Sequence, residues 1–272
     1  MMVSRSPRPA LRPFLKSVWA ADERAFRGGA DRELVLPTGA MHVVFRLDHP
    51  LHLFDGLEDR CGRTLDHAIV GGARAAFYVR DISKPMRSVG AQLQPCAAEV
   101  LLGVPASELA DRHTPLVELW GRAAHEVHER LLEAGHPERR LDVFESLLAA
   151  RLPKVRGVHP AVAHALSRFA ATTNMRKVVE ESGYSHRRFI ALFRQAVGLT
   201  PKLYSRVLRF QGALERAAAK SDAPWIDLAL EAGYRDQSHF NREFREFAGL
   251  PPGEYRKISP AWPHHVPIAA MG

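Results

Sequence analysis

Two cysteines in 272 residues, Cys61 and Cys96, are too few for a disulfide framework or a four-cysteine zinc site. No apolar run approaches the roughly 18 residues of a membrane span. The basic start, with Arg5, Arg8 and Arg12, is not followed by an apolar stretch of signal-peptide length. The expectation is a cytoplasmic protein with reduced thiols and no membrane partner. Residues 1–155 also lack a Gly-rich phosphate loop, a Gly-x-Ser-x-Gly elbow and a paired carboxylate set, so no catalytic constellation stands out. Acidic residues run short in one place. Of the net +8, +7 arises between Arg156 and Lys257, where 17 Lys/Arg meet 10 Asp/Glu, and residues 258–272 hold no Asp, Glu, Lys or Arg. Such an asymmetry is the footprint of a polyanionic partner, most often nucleic acid.

What is present suits about two domains, each long enough to bury a core. Apolar residues at 46% and charged residues at 25% are ordinary globular values and exclude wholesale disorder. The first half reads as strands and then helices. Glu33 to Leu36, Met41 to Leu47, Ala68 to Val70, Ala75 to Val79 and Ser88 to Leu93 carry strand patterns, with a turn at Pro37 to Gly39. From Ala97 the period becomes helical, over Ala97 to Leu102, Pro105 to Ala110, Pro115 to Glu133 and Arg140 to Leu152. This order predicts an α+β fold, a small sheet or barrel with helices. Pro153 to Gly157 is the expected boundary, which gives a domain over 1–155, a second over 156–258 and a Pro-rich tail over 259–272.

The second domain reads as all helical, with helices near 160–170, 175–182, 186–196, 201–219, 224–232, 237–247 and 252–257. Pro160 and Pro201 suit first turns, Ser185 and Asp236 suit N-caps, and Gly183, Gly198, Gly233 and Gly249 mark ends. The domain is also internally duplicated. Val178 to Tyr184 aligns with Leu228 to Tyr234, and after one extra residue Phe189, Phe193, Gly198, Leu199, Pro201 and Tyr204 align with Phe240, Phe244, Gly249, Leu250, Pro252 and Tyr255. Each copy is a short helix, a glycine turn and a second amphipathic helix, which is the helix-turn-helix arrangement. The phenylalanine pairs lie four residues apart, on one face, and should point to the core. The opposite faces offer Ser185, His186, Arg187, Ile190, Ala191 and Arg194 in the first copy, and Gln237, Ser238, His239, Arg242 and Arg245 in the second. Arg can bond guanine in bidentate fashion and Gln adenine, while Ser and His can bond bases or phosphates. A long helix from Lys202 to Lys220 could space the two readers about one DNA turn, roughly 34 Å, apart.

Residues 158–257 resemble the DNA-binding domain of the AraC/XylS family of bacterial transcription regulators. The matching stretches are Ser185 to Phe193, Gly198 to Pro201, Tyr204 to Arg209, and above all Gly233 to Phe240 with Phe244, Gly249, Pro252 and Tyr255. The resemblance implies base contacts from Arg187, Ile190, Ala191 and Arg194 in the first module, and from Gln237, Ser238, His239 and Arg242 in the second. Many members carry a polar and a basic residue where this chain has Ile190 and Ala191. The first helix is therefore expected to touch thymine methyl groups or to position the protein on phosphates.

Other groups read more plainly. Phe210, Trp225 and Phe247 are expected in the core, and Glu180, Glu181, Glu243 and Glu246 are read as ordinary helix charges. His125 and His128 are three apart, not the four of the metalloprotease helix, so no metal site is assigned. No cofactor is expected. Trp19, His42, Phe45, Tyr78 and Gln92 are named as lining for an effector pocket in the sheet region. The functional expectation is a sequence-specific DNA-binding regulator modulated by a small molecule at residues 1–155. Its expected partners are double-stranded DNA, the effector, RNA polymerase and a second copy of the chain. The alternative from another class is an enzyme whose first half works through the Cys96 thiol, with DNA binding as targeting.

Overall fold

The computed structural model describes residues 2–23, 30–152, 160–169, 175–220 and 222–268. The expected boundary at Pro153 to Gly157 lies outside them. The first unit contains strands β1 (Met2–Arg5), β2 (Leu15–Glu23), β3 (Arg32–Val35), β4 (His42–Arg46), β5 (His52–Phe54), β6 (Arg63–Thr64), β7 (Ala68–Gly71), β8 (Tyr78–Asp81), β9 (Met86–Leu93) and β10 (His113–Pro115). Among and after them run helices α1 (Ala97–Leu102), α2 (Ala106–Leu109), α3 (Val117–Trp120), α4 (Ala123–Glu133) and α5 (Pro137–Ala150). The second unit is helical: α6 (Pro160–Phe169), α7 (Met175–Glu181), α8 (His186–Val197), α9 (Pro201–Ala219), α10 (Trp225–Glu231), α11 (Gln237–Ala248) and α12 (Pro252–Ile258), followed by strand β11 (His265–Ile268).

All strand pairs are antiparallel and form two sheets, ordered β1-β2-β9-β4-β7-β10 and β11-β3-β8-β5-β6. Alternation along each strand sends residues to opposite faces. On the first sheet, Val18, Ala20, Val43, Phe45, Val89 and Ala91 are buried on the face that meets the helices. Phe45 packs edge to face on Phe144 of α5, with ring centroids 5.8 Å apart, and also against Trp120. The other face carries Trp19, His42 and Gln92 and looks toward the second sheet, where His113 meets the Tyr78 ring at 4.5 Å. Gly90 is required there, because a Cβ would stand 2.3 Å from the Trp19 indole that lies across it.

Several expectations are corrected. The tail expected over 259–272 is, as far as Ile268, part of the second sheet, since β11 pairs with β3, His265 opposite Val35 through Ile268 opposite Arg32. The chain thus returns from the helical unit to complete the second sheet. The helix expected over 115–133 breaks into α3 and α4 at Gly121, which has φ +56°. The strand expected at Ala75 to Val79 begins only at Tyr78. β2 escaped the pattern because its register shifts between Leu15 and Ser17, so its buried Leu15, Val18 and Ala20 do not keep a period of two. The two units also share one continuous apolar cluster, in place of two separate cores.

Candidate nucleic-acid interface

The helical unit is built twice from one local plan. Ser185 Oγ accepts a hydrogen bond from Arg188 N–H at 3.4 Å and starts α8, and Asp236 Oδ1 accepts from His239 N–H at 2.8 Å and starts α11. Thr200, which the sequence reading passed over, caps α9 in the same way. Phe189, Phe193 and Val197 bury one stripe of α8, and Phe240, Phe244 and Phe247 one stripe of α11. The rings form a linked set, with Phe210 of α9 touching Phe244 and Phe247, and Trp225 touching Phe240 and Phe244. These contacts orient both helices so that their opposite faces are free to meet a ligand.

On α8, Ser185, His186, Arg187, Ala191 and Arg194 are exposed and Ile190 is half-buried. Arg188, not singled out from sequence, is exposed as well. On α11, Gln237, Ser238, Arg242 and Arg245 are exposed. Arg187, Arg194, Arg242 and Arg245 make no side-chain hydrogen bond or ion pair among the described residues. His239 differs from its neighbours. Its ring is half-buried, lies edge-on to Tyr234 at 5.4 Å, and brings Nε2 to 3.8 Å from Glu243.

Glu243 is not the ordinary helix charge expected of it. It is buried and takes hydrogen bonds from Arg206 Nε at 2.8 Å and from Arg209 Nη2 at 2.9 Å to each of its oxygens. Burial pushes its carboxyl up, but the two guanidinium groups outweigh that and hold it below the usual range. Arg206 also pairs with Glu246 at 2.5 Å. The cluster fastens α11 to α9, so these arginines are occupied structurally while those of the outer face are not.

The effector residues named from sequence divide between the region separating the two sheets and the helix side of the first sheet. Trp19, His42, Tyr78 and Gln92 gather on the face between the sheets. Phe45 does not: it is 0% exposed on the helix side, because odd positions of β4 point there. A cavity of about 450 Å³ opens where the two units meet, lined by Lys16, Gln92, Cys96 and Thr38 from the first, and by Leu166, Val197, Tyr204 and Leu208 from the second. The sequence marked neither Lys16 nor Tyr204 as cavity lining, since their neighbours there come from the other unit. Cys96 sits in the left-handed region at φ +75°, and its N–H donates to Ala196 O of α8 at 3.0 Å. Burial pushes its thiol up to about 11, the opposite of what a thiolate nucleophile requires. His128 is turned inward, with Nε2 3.0 Å from Arg46 O.

Residues 178–258 match a family model described as a helix-turn-helix domain, and residues 4–115 match one described as a domain of unknown function, DUF6597. Among curated proteins, an uncharacterized HTH-type transcriptional regulator of Haemophilus influenzae is 30% identical over 84 residues, 31% of this chain and 28% of that protein. The HTH-type transcriptional regulator MtrA of Neisseria gonorrhoeae is 31% identical over 85 residues, again 31% and 28%. The melibiose operon regulatory protein of Escherichia coli is 31% identical over 70 residues, 26% of this chain and 23% of that protein. The match thus spans less than a third of the length of these relatives. Among solved structures, ToxT of Vibrio cholerae superposes with TM-score 0.46 and 9% identity, over 94% of this chain and 98% of that one.

Proposed function

We propose that this chain, whose residues 178–258 match a helix-turn-helix domain model, is a transcriptional regulator of AraC type that reads duplex DNA through α8 and α11. The observation that carries the reading is the paired design. Two capped helices turn phenylalanines inward, and their outer faces hold four arginines with no protein partner among the described residues. Unpaired guanidinium groups on a helix that fits a major groove are what phosphate and guanine recognition needs. In the second module Gln237, Ser238 and Arg242 read bases and Arg245 holds the backbone. His239, drawn toward Tyr234 and Glu243, contributes less to base reading. In the first module Arg187 and Arg194 act beside the apolar Ile190 and Ala191.

Modulation by a small molecule is supported by the cavity between the units. A ligand there touches both units at once, so it has the differential affinity for one arrangement that a shift of equilibrium requires. Duplex DNA, RNA polymerase and a second copy of the chain are the partners of this reading. The test is selection of bound duplexes from random DNA by the full chain at about 150 mM salt, where phosphate attraction alone is weakened. The expected result is a motif of two boxes about one helical turn apart. Enrichment of no motif would sink the reading.

A further inference from the structure

Residues 72–77 run from the end of β7 in the first sheet to the start of β8 in the second, and they touch both reading modules. At the start of the segment, Ala73 Cβ would lie 3.1 Å from a Cβ placed on Gly198, which ends α8. At its end, Phe77 meets Gly249, which ends α11. Other contacts divide in the same way. Just past β9 of the first sheet, Cys96 N–H donates to Ala196 O of α8 at 3.0 Å, and Ala106 of α2 also lies against Gly198. The second sheet holds the second module through its last strand. Tyr255 of α12 packs on Phe244 of α11 at 5.5 Å, its hydroxyl donates to Pro263 O at 2.9 Å, and β11 follows. β11 is fixed to β3 by Leu36 N–H on His264 O at 2.9 Å, by His265 Nδ1 at 3.1 Å from Glu33, and by the fully buried Val266.

Between these two grips lies a shared pivot. Pro37 to Ala40 joins β3 of the second sheet to β4 of the first. α9, which joins the two modules, rests on that turn: Gln211 Nε2 donates to Pro37 O, and a Cβ on Gly39 would stand 3.3 Å from Val207. The first sheet thus holds the first module, the second sheet holds the second, and the two connections lie on each other. Long helices are rarely straight, so a 19-residue linker does not by itself fix what stands at its two ends.

We propose that the second sheet, acting through β11 and Phe77, sets the position of α11 relative to α8, so that selectivity for the distance between two DNA boxes is decided outside the helices that read them. Val266 and Phe77 are then positioning residues. This deepens the DNA-binding reading above and rests on it. With both modules held, the second box is met at high effective concentration at one separation and at low effective concentration at others. One added base pair moves a box by roughly 3.4 Å and turns it by about 35°, which a held module cannot follow.

The test uses the full chain and the two-box duplex recovered by selection, at about 150 mM salt, with base pairs added or removed between the boxes. The readout is the ratio of affinities for the selected and the altered spacing. A variant that is merely less folded loses affinity on every duplex alike and leaves this ratio unchanged. The wild type should prefer its own spacing at least about tenfold over a change of about two base pairs. Val266→Asp, which unseats β11, and Phe77→Ala should each lower that preference to about threefold or less. Phe77 is half-buried, so its truncation keeps the fold and carries the test if Val266→Asp does not melt cooperatively. Arg242→Ala is the control and should weaken binding at every spacing with the ratio intact. A wild type indifferent to spacing, or a wild-type ratio in either folded variant, would overturn the proposal and leave α9 alone to set the separation. Selection of no motif would bring down the DNA-binding reading and this proposal with it, whereas a motif bound without a spacing effect brings down this proposal alone.

Discussion

The Phe77 ring lies so close to Gly249 that a Cβ on that glycine would stand 2.4 Å from Phe77 Cε1. Gly249 ends α11, and Phe77 belongs to the segment before β8. A parallel contact ends α8, where a Cβ on Gly198 would lie 3.1 Å from Ala73 Cβ and 3.2 Å from Ala106 O. Both helices proposed to read DNA therefore end against the first unit. A change in that unit has a direct mechanical route to their spacing.

Gly249→Ala should destabilise more than its backbone alone explains. At φ +73° any Cβ costs about 1–2 kcal/mol, and the Phe77 ring adds a clash. Gly183→Ala is the control, since φ is +72° but nothing lies within 4 Å of its Cβ. Denaturant unfolding should rank Gly249→Ala as clearly the worse, and Phe77→Ala should recover the difference. Equal costs for the two alanines would remove the Phe77 contact from the account.

Glu243→Gln should cost about 3–5 kcal/mol, because it leaves Arg206 and Arg209 in a partly buried cluster without their shared carboxylate. A urea titration reads this directly. A loss below about 1 kcal/mol would mean the cluster behaves as an exposed pair.

Arg242→Ala should change the unfolding free energy by no more than about 0.5 kcal/mol, as its side chain is exposed and unpartnered among the described residues. On DNA it should cost about 1–3 kcal/mol and relax preference at one base position. Competition between single-base variants of the selected duplex measures it. A uniform loss on all sequences would make Arg242 a phosphate contact.

Stability should fall as pH drops from about 6.5 toward 4. Burial first, and then neighbouring cations, hold His42 at about 4, His113 at about 3 and His264 at about 4, so these rings stay neutral in the fold. Unfolded histidines take protons near pH 6.5, so the unfolded state binds more protons across that window, and each ring contributes at most about 1.4 kcal/mol per pH unit. Burial pushes Glu33 up, but Arg80 and His265 outweigh it and hold it at about 2, which adds a further loss below about 4.5. Unfolding free energies at pH 7 and pH 5 should differ accordingly, and His42→Gln and His113→Gln should each flatten the slope. An unchanged slope in both variants would mean that other groups set it.

The helical unit was legible because its signals are local. A cap bonds three residues ahead, a phenylalanine pair repeats every four residues, and a glycine ends a helix by its own φ, so Ser185, Phe189, Phe193 and Gly198 announce α8 without reference to anything distant. Duplication doubled the evidence. Which residues form the outer face was legible for the same reason, since a helix with one face committed to the core leaves the other by geometry.

The first unit was less legible because its order depends on pairing between distant strands. The bulge in β2 hides its alternation, and the facing of β4, which removed Phe45 from the effector list and kept His42, is set by which sheet face the helices cover. β11 joins β3 across more than two hundred residues, and Glu243 becomes a buried hub only once α9 lies beside α11. The sequence by itself determined the helical character of the second unit, the duplicated module and the residues it turns outward. Tertiary structure alone decided which residues of the two units share a cavity and that α8 and α11 end against the first unit. Those are relations between segments with no common period, and burial of apolar surface is what brings them together.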